Sequence, residues 1–177
     1  MKKTLSLFVI IASLYLIACS PSRDKMLGNI EQMEKELKTA PKLDSTAINT
    51  LLAKYEGFST KFPKDSLAPK YLMRAASLCV SFHRGEKAIE LYDKVIKDYP
   101  ENKQIAVCYF MKAFTYENVL NNIGEASGGY NRFLIMFPEH PLAKDAHAAI
   151  KYLGKTPEEV VHEFEKMNAD SVAKASK

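Results

Sequence analysis

The chain has 177 residues, enough for a domain with a sizeable core, and its 47% apolar and 26% charged content is that of an ordinary globular protein. The formal net charge is +4, from 25 basic and 21 acidic residues, and it falls to +2 without Lys2 and Lys3. So small an excess, interspersed along the chain, does not indicate nucleic-acid binding.

The N-terminal segment has the pattern of an export signal. Lys2 and Lys3 precede an apolar run over residues 5–18, which correspond to the charged and hydrophobic regions of a signal peptide. A transmembrane helix is the alternative, but 14 residues span roughly 21 Å at about 1.5 Å each, short of the ~30 Å hydrocarbon core. The sequence therefore predicts a signal peptide over residues 1–18.

The apolar run ends in Leu16-Ile17-Ala18-Cys19, which resembles the lipobox of bacterial lipoproteins. The resemblance implies cleavage before Cys19, a diacylglyceryl thioether on its sulfur, an N-acyl chain such as palmitate, and a tether over residues 19–23. Several acyl chains at ~0.8 kcal/mol per buried CH₂ make such an anchor effectively permanent. Because Ser20 and not an aspartate follows, the resemblance implies an outer-membrane lipoprotein, on the periplasmic or surface face. Plain secretion and an uncleaved anchor stay open.

Capping signals place the helices that follow. A helix begins at Asp24, and Asp44 and Ser45 are candidate N-caps for the next. Gly154 is the expected C-cap of a later helix. Thr156 to Glu159 then has the cap, proline and acid of a strong helix start. We expect one helical domain over residues 24–167 and, from its short polar composition, a disordered tail over residues 168–177.

One thirteen-residue pattern occurs three times, at residues 51–63, 88–100 and 126–138. Each copy places apolar side chains three and four residues apart, on one helix face, and ends in proline, which stops the helix. The period of 37 and then 38 residues is typical of a helical-repeat solenoid. The equivalent positions are Tyr55, Tyr92 and Tyr130, then Phe58, Val95 and Phe133, then Phe62, Tyr99 and Phe137.

The second and third copies, with the helices before them, resemble tetratricopeptide repeats. The match consists of a small residue, an aromatic four positions later and a proline eight positions after that: Ala88, Tyr92 and Pro100, then Ala126, Tyr130 and Pro138. Leu51 replaces the small residue in the first copy, and Leu72 and Ala76 replace the tryptophan and glycine usual on the preceding helix. Over about residues 44–153 the resemblance implies an all-α, right-handed solenoid of about eight helices. The long period is similar to that of lipoproteins of outer-membrane β-barrel assembly and of the periplasmic protein that works with Tol–Pal.

In tetratricopeptide repeats the first helix of each pair lines a concave binding face. Two positions of that face carry the lysine and asparagine of the family's carboxylate clamp. In this chain methionine (Met73, Met111) replaces the lysine, and a hydroxyl residue (Ser77, Thr115) replaces the asparagine. Paired methionines flanked by Arg74 and Lys112 favour a protein segment with apolar and acidic residues. The alternative is that the methionines are core and the cations solvated. The equivalent positions are Lys70, Met73, Arg74 and Ser77, then Cys108, Met111, Lys112 and Thr115.

Catalytic and metal-site signals are missing from the sequence. The four histidines have no partner at metal-ligand spacing, and neither a phosphate-binding glycine loop nor a nucleophile elbow occurs. Cys79 and Cys108 occupy different repeat positions, so we expect two buried free thiols rather than a disulfide between them. We expect no enzyme and no cofactor beyond the covalent diacylglycerol and N-acyl chain on Cys19.

The sequence and its resemblances predict a lipid-anchored scaffold that binds another protein of the bacterial cell envelope, in outer-membrane protein assembly or envelope maintenance. Two other functions stay open. One is capture of a small molecule or glycan for an outer-membrane transporter, which stacked exposed aromatics would favour. Tyr109, Phe110, Phe114 and Tyr116 make one aromatic-rich helix, but at these spacings most of them should be core. The other is a purely structural spacer.

Overall fold

The computed structural model describes residues 21–40 and 44–175, and these residues form eight α-helices and no β-strand. The predicted all-α class is confirmed for this part of the chain. The signal peptide and Cys19 lie outside the described residues. The helices are α1 Arg23–Thr39, α2 Ser45–Lys61, α3 Ala68–Ser81, α4 Gly85–Asp98, α5 Ile105–Asn118, α6 Ile123–Met136, α7 Ala143–Tyr152 and α8 Pro157–Ala175.

Side-chain caps set several of these helix ends. The carboxylate of Asp44 accepts the backbone N–H two residues on, at 3.2 Å, and begins α2 as predicted. Thr156 and Glu159 form the predicted reciprocal cap of α8, with hydrogen bonds of 2.7 and 3.2 Å. Gly154, at φ +76°, follows the end of α7 in the left-handed conformation that glycine tolerates. Local chemistry is therefore sufficient to place these boundaries.

Helix α8 is longer than expected. It continues to Ala175, through most of the segment 168–177 for which we expect disorder from its short, polar composition. The physical reason is that this segment contains neither proline nor glycine, and alanine, at positions 169, 173 and 175, has the highest helix propensity of all residues.

The three copies of the repeat end in the same local structure. The residue after each helix is Phe62, Tyr99 or Phe137, and its backbone N–H donates to the carbonyl four residues back at 2.8 to 2.9 Å. The second residue after each proline has a polar side chain. This side chain accepts the backbone N–H of the residue two positions further along the chain, at 2.8 to 3.2 Å. These side chains are Asp65, Asn102 and His140, which keep the period of 37 and 38 residues.

The repeated aromatic positions are buried. Phe58, Val95 and Phe133 are fully inaccessible, and the three equivalent tyrosines are at most 5% exposed. Each buried phenol has a polar neighbour, as a buried hydroxyl requires. Tyr55 donates to Glu34 at 2.7 Å, Tyr130 donates to Glu117 at 2.6 Å, and the Tyr92 hydroxyl lies 3.5 Å from that of Ser77.

The described helices divide into two compact units, one up to Tyr71 and one from Leu72 onward. In the first unit α1 packs against α2, and the ring of Tyr71 stacks on Tyr55 and meets Phe58 edge-on, with centroids 5.4 and 5.0 Å apart. Arg23 donates to both carboxylate oxygens of Asp65, which holds the pKa of that carboxyl below its ordinary value.

In the second unit each helix from α4 to α7 packs against the next. Small residues allow the close approach of α5, α6 and α7, while Tyr130 and Phe133 fill the space between them. The buried cluster consists of Ala106, Ala113, Ala126, Tyr130, Phe133, Ala143 and Ala146.

Candidate functional site

Four of the sequence-predicted surface positions lie on α3. Lys70 is exposed and belongs to the first unit. In the second unit Arg74 and Ser77 are exposed and Met73 is half-buried. A half-buried methionine fits either a binding surface or the edge of a core, so α3 alone does not separate the two interpretations.

The predicted positions on α5 divide differently. Met111 and Lys112 are partly accessible, whereas Cys108 and Thr115 are fully buried. The Thr115 hydroxyl donates to the carbonyl of Met111 at 2.7 Å. A buried hydroxyl satisfied within its own helix offers nothing to a ligand, so Thr115 and Cys108 are packing residues. Burial also raises the pKa of the Cys108 thiol to about 12.

A groove in the second unit brings Lys112 together with residues that are not among the predicted concave-face positions. Its volume is about 230 Å³, and helices α4, α5 and α6 each contribute to its walls. Of the predicted binding positions, Lys112 lines this groove. The lining residues are Asp93 and Ile96 of α4, Tyr109, Lys112 and Tyr116 of α5, and Glu125, Gly128, Gly129 and Arg132 of α6.

Two adjacent glycines form the α6 wall, and they differ in their surroundings. A Cβ atom at Gly129 would lie 2.8 Å from the Cβ of Ala113, so glycine here allows α5 and α6 to touch. Close backbone packing therefore explains glycine at position 129. A Cβ atom at Gly128 meets nothing within 4 Å. Packing does not explain Gly128, although glycine costs about 1 kcal/mol relative to alanine inside a helix.

The groove is lined by charged side chains, of which some form an ion pair and others do not. Lys112 is ion-paired with Asp93 at 2.6 Å, and both side chains are partly exposed, so this pair adds little stability. Glu125 and Arg132 make no ion pair within residues 21–40 and 44–175. They are seven residues apart on α6, about 10 Å along its axis. One free carboxylate and one free guanidinium are therefore available in the groove.

Tyr109 and Tyr116 supply the aromatic surface of the groove. They too are seven residues apart, on α5, and both are half-buried against the core cluster. The ring of Tyr109 lies 5.6 Å from that of Phe137, which holds it in place. A glycine pair flanked by opposite charges at Glu125 and Arg132 is the sequence signal that could have pointed to this site.

The other candidate chemistries find no support in the described part of the chain. Cys79 and Cys108 are buried free thiols, as expected. Residues 21–40 and 44–175 contain no group of three metal-ligating side chains, and none of their helices is long and apolar enough to cross a membrane. No protein-family model matches the chain, and no curated protein matches its sequence.

Proposed function

We propose that this protein is a lipid-anchored scaffold of the bacterial outer membrane that binds a segment of another envelope protein. In this proposal Cys19 carries the diacylglycerol and N-acyl chain, and the helices form a right-handed, tetratricopeptide-like solenoid. The three equivalent turns at Asp65, Asn102 and His140 support a repeat architecture, because the same local structure recurs at the sequence period. The function is binding rather than catalysis, in outer-membrane protein assembly or envelope maintenance.

The groove of α4, α5 and α6 is the observation that carries the binding proposal. Its volume of about 230 Å³ is below the ~300 Å³ at which pockets for drug-sized molecules begin, and suits one or two protein side chains. Tyr109 and Tyr116 offer apolar surface, and the unpaired Arg132 offers a charge that complements a carboxylate. The partner segment that fits combines an apolar side chain with an acidic one.

Capture of a glycan for an outer-membrane transporter is the second candidate. The observation that favours it is the pair of half-buried tyrosine rings, Tyr109 and Tyr116, in a groove that also holds carboxylates and cations. A sugar would stack on such a ring and hydrogen-bond to Asp93 or Glu125. The small volume favours the protein segment, and the experiment below separates the two.

Binding by the groove is tested with Gly128→Leu and Arg132→Glu. Leucine at position 128 has room and enters the groove, so it should block the site while the protein stays folded. Arg132→Glu should repel an acidic segment. The matched control is Lys144→Glu, an exposed charge on α7 outside the groove. We expect both groove variants, and not the control, to lose partners recovered by affinity purification from detergent-solubilised envelope.

Circular dichroism of each variant establishes that it is folded before recovery is scored. If folded Gly128→Leu and Arg132→Glu recover every partner that the wild type recovers, the groove is not the binding site. If they lose binding of envelope glycans and keep all protein partners, the second candidate replaces the first.

Anchoring is tested with Cys19→Ala. Without the thiol there is no site for the thioether, so we expect an uncleaved precursor or a soluble form in place of the lipidated protein. Membrane fractionation and intact mass measure the change, and Cys79→Ala, at a buried thiol, is the control that should be processed normally. Normal processing and membrane retention of Cys19→Ala would end the lipoprotein interpretation.

A further inference from the structure

The chain that enters α1 is held against the far end of α2. The ammonium of Lys61 donates to the carbonyl of Pro21, and the guanidinium of Arg23 donates to the carboxylate of Asp65. Between them, Ser22 caps α1 by accepting the N–H of Lys25. Pro21 and Arg23 are therefore attached to the first unit at the end of α2 and the turn that joins it to α3, and Ser22 between them begins α1.

We infer that the α2–α3 turn, residues 61–67, is a contact surface for anionic lipid headgroups. The inference rests on the proposed lipidation of Cys19. One residue, Ser20, lies between Cys19 and Pro21, so their Cα atoms are at most roughly 7 Å apart. The headgroup region on each side of a bilayer is about 5–7 Å thick. Pro21, and the turn that binds it, must then lie at the headgroups.

The chemistry of the turn suits that position. Pro63 and Lys64 are exposed, and Phe62 and Lys61 are half-buried, with the Lys61 ammonium 5.5 Å from the centre of the Phe62 ring. Lysines next to a partly exposed aromatic ring are typical of surfaces that contact an anionic membrane. Asp65, the acidic residue of this turn, is neutralised by Arg23, which removes the repulsion that it would otherwise exert on lipid phosphates.

The opposite end of α2 provides an internal reference. Ser45 begins the helix and is exposed, 16 residues from Lys61 and therefore about 24 Å along the axis. If the turn faces the lipid, the Ser45 end points away from it.

The test uses the full-length lipidated protein in phosphatidylethanolamine–phosphatidylglycerol vesicles that contain nitroxide-labelled lipid. A fluorophore is attached at Lys64→Cys in one sample and at Ser45→Cys in the other, since Cys79 and Cys108 are buried and do not compete for label. We expect severalfold stronger quenching at position 64 than at position 45, and a smaller difference in vesicles without phosphatidylglycerol. Equal quenching at the two positions, or stronger quenching at position 45, would overturn the inference.

A second variant tests the attachment itself. Arg23→Gln with Lys61→Gln should weaken the hold on Pro21 and reduce the quenching difference, whereas Lys35→Gln, an exposed charge on α1, should leave it unchanged. If the quenching difference between positions 64 and 45 is unchanged in the double variant, the contacts of Arg23 and Lys61 do not orient the first unit at the membrane. Intact mass and co-flotation separate the two proposals. A chain without acyl chains that fails to float contradicts the lipidation and this inference together, while a lipidated, floating chain with equal quenching contradicts the inference alone.

Discussion

Phe133→Ala should destabilise the second unit by about 3–5 kcal/mol, the range for removing a fully buried phenylalanine. Phe133 has no accessible surface, and its ring centroid lies 5.6 to 5.7 Å from those of Phe110, Phe137 and His140. Truncation would leave a cavity at the point where α5, α6 and the turn after α6 meet. Urea unfolding followed by circular dichroism gives the loss.

The matched control for this change is Ile135→Ala, two residues along the same helix. Ile135 is 82% exposed, so its truncation removes little packing and should alter the free energy of unfolding by no more than about 0.5 kcal/mol. A loss below about 1 kcal/mol for Phe133→Ala would mean that position 133 is not in the core, and the repeat register would then be wrong.

Leucine substitutions at the adjacent glycines should have opposite effects on stability. At Gly129 the new Cβ atom would lie 2.8 Å from the Cβ of Ala113 and 3.2 Å from its Cα atom, so α5 and α6 must separate. We expect a loss of about 3 kcal/mol, the upper end of the range for overpacking. At Gly128 the side chain enters open space, and the higher helix propensity of leucine should add about 0.5–1 kcal/mol.

Thermal and urea unfolding of the two leucine variants measure this difference directly. The positions are neighbours on one helix and receive the same side chain, so intrinsic propensity cancels between them and the remaining difference reports the contact with α5. Similar stabilities for the two variants would contradict the close approach of Ala113 and Gly129.

The helix boundaries could be predicted because they depend on local chemistry. Asp44, the Thr156–Glu159 cap and Gly154 each act on backbone groups within a few residues, and the structure places them as the sequence predicts. The same locality applies to the end of α8: without a proline or glycine to stop it, the helix continues to Ala175, into the segment for which we expect disorder.

The candidate site could be predicted only in part, because exposure depends on neighbouring helices. Repeat positions place Lys112 and Thr115 on the same helix, three residues apart. In the packed helices the Lys112 side chain is partly accessible and pairs with Asp93. Thr115 has no accessible surface. The predicted methionine and cation surface rests on the assumption that all equivalent positions face solvent, and Cys108 and Thr115 do not.

The sequence by itself determined the all-α class, the caps at Asp44 and Thr156, and the repeated apolar positions equivalent to Tyr55 and Phe58, since helical periodicity and capping are properties of short segments. Only the tertiary structure decided which side chains share a groove. Asp93, Lys112 and Arg132 come from three helices, and their proximity depends on how closely α5 approaches α6. Where α5 approaches α6, Ala113 lies against Gly129, and only the packed helices show which of two adjacent glycines makes this contact.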